Sequence, residues 1–253
     1  MRISIITAVY NRATTLPEAL DSLRRQTHPS VEHVVQDGGS TDGTLQVLRA
    51  NPSEEMKLVS APDGGIYDAV NCGIARASGD VIGLLHSDDY LADSGVIADV
   101  AEALADPAVD GVYGDLDYVA AADTSHVIRR WRSGQYVPAK LKRGWMPPHP
   151  TLYLRRQVLE SWGYYDTSFH IAADYEAMLR WLVRGQIQLA YIPRVLVKMR
   201  VGGESNRSLG HILRKSREDY RAMRRHGVGG IGSLAAKNFS KLEQFLPGRQ
   251  GNT

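Results

Sequence analysis

Short apolar runs rich in β-branched residues alternate with segments of helical period through the first half of the chain. Residues 3–9 (ISIITAV) read as a buried strand. The stretch TTLPEALDSLRRQ follows as a helix, with Thr15 and Glu18 spaced as a capping box and Pro17 in its first turn. VEHVVQD then reads as a strand, TLQVLRAN as a helix, MKLVS as a strand, IYDAVNCGIARA as a helix and DVIGLLH as the next strand. Continuous apolar strands separated by helices predict an α/β fold, a mostly parallel sheet covered on both faces.

From about residue 111 the alternation loosens. GVYGDLDYV, HVIRRW and TLYLRR read as strands, with a PPHPT loop at 147–151 between the last two. AADYEAMLRWLVRG (172–185) has the period of an amphipathic helix, starting near Ala172 or Ala173 with Gly185 as its C-cap. IQLAYIPRVLVKMR reads as two strands interrupted at Pro193, and LGHILRKSREDYRAMRRHG as a basic helix with its apolar positions on one side. The sequence contains no internal repeat and no low-complexity linker.

Composition narrows the picture. With 253 residues and 43% hydrophobic content, the chain can bury the core of one large domain plus an extension. Its 30 basic and 28 acidic residues leave a formal charge of +2, which excludes a global field directed at nucleic acid. The single cysteine, Cys72, rules out an internal disulfide framework, suits a reducing compartment and reads as a small core residue. The N-terminal apolar run is too brief for a signal peptide, and no stretch approaches the ~18 apolar residues of a membrane span. The expectation is a soluble, cytoplasmic protein, with peripheral contact at a membrane face left open.

In a parallel sheet of this kind, ligands bind beyond the carboxyl ends of the strands. The polar stretches there are TAVYN (7–11), DGGSTDGT (37–44), APDGGIYDAVN (61–71) and HSDD (86–89), all placed to converge on one crevice. Asp37 could accept a hydrogen bond from a uracil imide or a ribose hydroxyl; alternatively, Asp37 or Ser40 caps the next helix. Asp88 and Asp89 supply the hard oxygen ligands that Mg²⁺ or Mn²⁺ takes beside a diphosphate, whereas the plainer alternative is capping of the following helix by Asp93 or Ser94. A dinucleotide-binding G-x-G-x-x-G should follow the first strand, but TAVYNRATT holds no glycine, and no P-loop motif occurs.

In their order along the chain, IITAVYNRATTLPEALDSLRRQT, DGGSTDGT, DGGIYDAVNCGIARASGDVIGLLHSDDYL and AADYE resemble the family 2 glycosyltransferases of the GT-A fold. The resemblance covers roughly residues 3–200. It implies that Thr7, Ala8, Tyr10, Asn11 and Asp37 hold the nucleotide base and ribose. Asp63 to Gly65 would line the same pocket, and Gly38, Asp68, Asn71 and Asp88 would complete the nucleotide-sugar set. It further implies a divalent cofactor, Mn²⁺ or Mg²⁺, held on the diphosphate by Asp88 and Asp89, and a catalytic base at Asp174. Two departures stand out: His86 replaces the first aspartate of the usual L-D-x-D-D, and Ala173 replaces the glutamate of the usual pair before the base.

The chemistry of such a transfer asks for those groups. A sugar hydroxyl needs a carboxylate to take its proton as the new bond forms, and the departing nucleoside diphosphate needs its growing charge stabilised on the opposite side. Trp145 and His149 on the proline-rich loop, and Arg200 before the VGGESN stretch, are candidates for acceptor-side or diphosphate contacts. Arg214, Lys215, Arg217, Arg221, Arg224 and Arg225 on the basic helix suit an anionic membrane that presents a lipid-linked acceptor.

The expected division is a catalytic domain at 1–203, with a nucleotide-sugar half at 1–110 and an acceptor half at 111–203, followed by a basic helical extension at 204–253. The expected activity is inverting, metal-dependent transfer of one sugar, UDP-sugar first, to a glycan or lipid-linked hydroxyl in bacterial surface-glycan synthesis. A nucleotidyltransferase making nucleotide-sugars and a non-catalytic sugar- or nucleotide-binding module are the alternatives.

Overall fold

Each apolar run of the first half pairs into one sheet in the computed structural model, which describes residues 1–53, 55–201, 209–230, 232–234 and 237. In chain order the elements are β1 (Ile3–Val9), α1 (Leu16–Arg24), β2 (Val31–Asp37), α2 (Thr44–Ala50), β3 (Met56–Ser60), α3 (Ile66–Arg76) and β4 (Val81–Leu84). The second half adds β5 (Tyr90–Leu91), α4 (Val96–Ala103), β6 (Gly111–Ala120), β7 (Val127–Trp131), β8 (Tyr153–Arg155), α5 (Arg156–Trp162), α6 (Ala173–Leu179), β9 (Leu189–Val201) and α7 (Leu209–Arg225).

The sheet order is β3-β2-β1-β4-β8-β6-β9-β5, with β7 also paired to β6. β3, β2, β1 and β4 run parallel; β8 is antiparallel to both β4 and β6, and β9 runs parallel to β6. β1 is buried along its whole length, as its unbroken apolar run requires of a strand covered on both faces. Successive strands β1, β2 and β3 step one way across the sheet and β4 lies on the other side of β1. The order therefore reverses between β1 and β4, which opens a crevice beyond their carboxyl ends.

Several local expectations are corrected by tertiary contacts. Thr15 makes no cap hydrogen bond. Its hydroxyl instead donates to the Ser87 carbonyl at 3.0 Å, and Glu18 pairs with Arg200, so the two residues of the expected capping box both serve the 86–89 turn. The stretch around Pro193 is one strand, β9, whose register shifts against β6 between Tyr113 and Leu116. The shift gives Pro193 a place where no ladder N–H is required, and Gly114 opposite leaves room for Leu196, 2.5 Å from where a Cβ would stand. Gly185 is the C-cap as expected, but with φ −73° and packed under Trp162, and the left-handed residue is the next one, Gln186 at φ 50°. Residues 180–184 form a π turn that continues α6. Cys72 is half-buried on α3 rather than in the core.

The basic helix α7 is not an appendage beyond residue 203. Ala222 and Met223 are fully buried and share one core with Tyr175, Met178 and Trp181 of the α6 region. The rest of the expected 204–253 extension lies outside the described residues, as does most of the VGGESN stretch after Arg200. No helix among the described residues is long and apolar enough to cross a membrane.

Close approach sets the spacing of the central layer. A Cβ on Gly73 of α3 would stand 2.4 Å from Ile6 Cγ2 of β1, and one on Gly83 of β4 would stand 2.3 Å from the buried Tyr153 ring of β8. Because the ring is locked in the core, Gly83→Ala is expected to cost about 1–3 kcal/mol by overpacking. Urea unfolding followed by circular dichroism checks this, and an unchanged midpoint would contradict the close packing.

Candidate active site

The seam between β1 and β4 brings the quoted strand-end stretches together. Tyr10 projects from the end of β1 with 58% of its surface exposed. A Cβ at Gly38 would meet Asp63 Oδ2 at 2.9 Å and Tyr10 Cδ2 at 3.4 Å, so only glycine lets these two side chains close over the β2 turn. Asn11 adopts a left-handed backbone (φ 52°), and its side-chain oxygen accepts from Thr41 N–H at 2.8 Å. Asp63 accepts from Gly65 N–H at 2.9 Å and Asp68 from Gly64 N–H at 2.8 Å, which folds the 63–65 turn against the start of α3. Tyr10, Gly38 and Asp63 thus form an open ledge suited to a flat ring.

Other residues expected to touch the nucleotide face inward. Asp37 has no exposed surface, and its carboxylate accepts from Gly39 N–H, Ser40 N–H and the Ser60 hydroxyl at 2.6 Å. Those internal bonds make it the organiser of the turn. Thr7 is buried and bonds through its hydroxyl to His33 Nε2 at 2.9 Å, and Ala8 is buried beside it. The Asn71 amide donates to the Tyr165 carbonyl at 2.8 Å and accepts from the Tyr165 N–H at 3.0 Å, so it clamps α3 to the segment before α6 instead of facing a donor.

The HSDD turn separates its two carboxylates. Asp88 is half-buried, whereas Asp89 has no exposed surface and its Oδ1 accepts from Arg200 N–H at 3.3 Å. Burial, with Asp88 beside it, pushes the Asp89 carboxyl well above the usual range, and its Oδ2 has no hydrogen-bond partner. Asp93 does accept from Gly95 N–H at 2.8 Å, but α4 carries no side-chain cap. Arg200 is not poised over the crevice: its guanidinium donates to the Asp88 carbonyl at 2.6 Å and pairs with Glu18. Three residues from two elements therefore brace one turn, with Thr15 and Glu18 from the start of α1 and Arg200 from β9.

Across the crevice stands Asp174, half-buried in the first turn of α6. Its carboxylate accepts from Tyr175 N–H at 2.7 Å and from the Tyr67 hydroxyl at 3.4 Å. Burial alone would raise this carboxyl, but His149, Lys215, Lys237 and the Tyr175 N–H outweigh it and hold it below the usual value. Two imidazoles lie between the carboxylates. His86 feels both Asp88 and Asp174, yet burial keeps its pKa below the ordinary histidine value. His149 packs 5.9 Å from His86, bonds through Nε2 to the Tyr165 hydroxyl at 2.9 Å, and is pushed down to about 4 by burial. Both rings are thus neutral near pH 7.

Trp145 lies away from this pair, stacked on Tyr136 at 5.3 Å and donating through Nε1 to the Ser133 carbonyl at 3.1 Å. Sequence reasoning missed Tyr67, which sits inside the quoted DGGIYDAVN stretch, and Tyr165, which carries no local signal. It also missed Glu218 of α7, whose carboxylate accepts the N–H groups of His170, Ile171 and Ala172 at 2.8–3.2 Å just before α6.

No group of three or more His, Cys, Asp or Glu side chains among the described residues is arranged to hold an ion. Mg²⁺ and Mn²⁺ at diphosphates need only one or two carboxylates, their remaining ligands being phosphate oxygens and water. The half-buried Asp88, with the unpartnered Asp89 oxygen behind it, fits that smaller requirement.

A family model described as glycosyl transferase family 2 matches residues 4–171. A PGL/p-HBAD biosynthesis glycosyltransferase of Mycobacterium bovis is 32% identical over 208 residues, covering 80% of this chain and 78% of that one. Among solved structures, a mannosyltransferase from Pyrobaculum calidifontis in complex with GDP-Man and Mn²⁺ aligns with TM-score 0.70 at 22% identity, over 96% of this chain and 70% of that one. S. aureus TarS 1–349 in complex with UDP-GlcNAc aligns with TM-score 0.69 at 20% identity, over 90% of this chain and 66% of its own length. These neighbours share the GT-A-like arrangement of a mostly parallel sheet and flanking helices.

The histidine beneath the ledge makes stability depend on pH. Burial holds His33 at about 4 in the folded chain, against 6.5 when unfolded. Between those values the unfolded state binds more protons, so folding stability is expected to fall as the pH drops from about 6.5 to about 4, by on the order of 3 kcal/mol from this group. Urea titrations across that window, with His33→Asn expected to flatten the slope, check the assignment; equal slopes in the two proteins would contradict it.

Proposed function

The chain belongs to glycosyl transferase family 2, and on that premise we propose that it moves one sugar from a nucleotide-diphosphate donor to a hydroxyl of a glycan or lipid-linked acceptor, with inversion. The observation that supports this reading is that the carboxylates of Asp88 and Asp174, from separate stretches of the chain, both act on one imidazole, His86, which packs 5.9 Å from His149. One carboxylate serves the leaving diphosphate and the other the incoming alcohol. A base on one face and a leaving group on the other describe a single displacement.

Asp174 is ionised at neutral pH and half-exposed, so it can take the acceptor proton as the bond to the anomeric carbon forms. The Tyr67 hydroxyl, which also donates to the Ile171 carbonyl at 3.0 Å, fixes the carboxylate's orientation. Asp88, with Asp89 behind it, would hold Mn²⁺ or Mg²⁺, whose chemistry is Lewis-acid neutralisation of the diphosphate. The neutral His86 and His149 line the space between, adding hydrogen-bonding capacity without competing charge. Tyr10 and Asp63 offer the base a stacking surface and an acceptor, and a uracil imide suits that acceptor, so UDP-sugar is the favoured donor. The UDP-GlcNAc and the GDP-Man with Mn²⁺ bound by structural neighbours support a nucleotide-sugar donor and a divalent ion.

The reading places the protein in bacterial surface-glycan or glycolipid synthesis at the cytoplasmic face of the membrane. On α7, Leu213 is 73% exposed and Arg224 is exposed about three turns further along, which supports peripheral contact with an anionic bilayer.

Donor hydrolysis dependent on Mn²⁺, measured as nucleoside diphosphate release, tests the activity. Asp174→Asn is expected to bind donor normally but to lose ~10²–10⁴-fold in turnover, as removal of a general base does. Asp88→Asn is expected to weaken nucleotide binding chiefly in the presence of Mn²⁺. Near-normal turnover in Asp174→Asn would overturn the assignment of the base.

A further inference from the structure

An open cavity of about 360 Å³ lies outside the donor crevice, between α7 and the segment that leads into α6. Its lining is Ser168 and His170 on that segment, and Arg214, Arg217, Glu218 and Arg221 on α7. The arginines fall at i, i+3 and i+7, along one side of the helix, and all three are exposed where they line the cavity.

The charges in this cavity do not cancel. Both Glu218 oxygens are engaged by the N–H groups of His170, Ile171 and Ala172. Arg221 donates to Ser168 Oγ at 2.8 Å and lies 4.2 Å over the Phe169 ring, which fixes its guanidinium at the cavity wall. Asp166 and Asp219, the nearest other acids in sequence, are taken by Arg225 at 2.6 Å and Lys237 at 2.9 Å. Arg214 and Arg217 have no carboxylate partner among the described residues and are exposed to the cavity.

Like charges stacked on one helical stripe repel, and a bound anion would relieve that repulsion. The planar fork of arginine matches the paired oxygens of a phosphate better than any other side chain does. Ser168 Oγ and the His170 ring add polar groups at the rim.

We infer that this cavity is a binding site for a phosphate mono- or diester, distinct from the donor crevice. Its wall shares the 168–174 segment with Asp174, so a ligand there is held on the acceptor side of the base. Resting on the glycosyltransferase reading, it would anchor an acceptor, or the bilayer presenting one, by its phosphate.

The full chain and the double variant Arg214→Gln/Arg217→Gln, altered only at exposed helix positions, provide the test. Calorimetric titration with inorganic phosphate at constant ionic strength is expected to show binding that weakens at least ten-fold in the double variant. The corresponding double lysine variant should fall between the two, because it keeps charge but loses the fork. Sedimentation with phosphatidylglycerol vesicles against phosphatidylcholine vesicles separates the sources. Preference for phosphatidylglycerol that inorganic phosphate competes away assigns the site to a lipid headgroup, and phosphate binding without that preference assigns it to a soluble phosphate ester. Equal phosphate affinity in wild type and the double glutamine variant overturns the site. Donor hydrolysis measured on the same samples reports on the glycosyltransferase reading separately, since the cavity and the donor crevice share no side chain.

Discussion

The structure depends on holding several carboxylates around one hollow without letting their mutual repulsion open it. Asp63, Asp88, Asp89 and Asp174 come from three stretches of the chain, and the cations felt there, Arg200 by Asp89 and Lys215 and Lys237 by Asp174, form no ion pair with any of them among the described residues. The fold spreads the cost. Asp89 is buried and meets a backbone N–H, Asp88 faces outward, and Asp174 sits at the start of a helix where backbone dipoles favour a negative charge. Two neutral imidazoles keep the remaining space polar. A hollow of this character is poorly suited to an apolar guest.

The cations that support this arrangement act from behind. Arg200 reaches the Asp88 carbonyl, not its carboxylate, and spends its other contact on Glu18. The turn is thereby fixed in position while its side chain keeps its charge for a ligand. The same logic recurs at α6, where Glu218 caps the N–H groups before the helix and leaves Asp174 free to face the crevice.

Much of this was legible in the sequence because the strands of a parallel sheet are short, apolar and uninterrupted, and because the motif stretches fall at their carboxyl ends. The strand and helix order from β1 to β4, and the position of the motif stretches just beyond the strand ends, follow from that pattern. What the pattern could not disclose was which polar side chains turn inward. Thr15 and Glu18 have the spacing of a helix cap, yet tertiary partners outbid the local ones. Asp37 and Asn71 carry the right chemistry for a nucleotide, but their hydrogen bonds are spent on Ser60 and Tyr165, residues 23 and 94 positions away. Pro193 suggested a break because a ladder needs every N–H, and a bulge removed that need. Local sequence carries no record of such long-range competition.

The two-point clasp of Asn71 on the Tyr165 main chain imitates one rung of a sheet, made by a single amide between a helix and a loop. It fastens α3 to the segment that leads into α6 and Asp174. Relative drift of those two segments is thereby restrained at both ends of one amide.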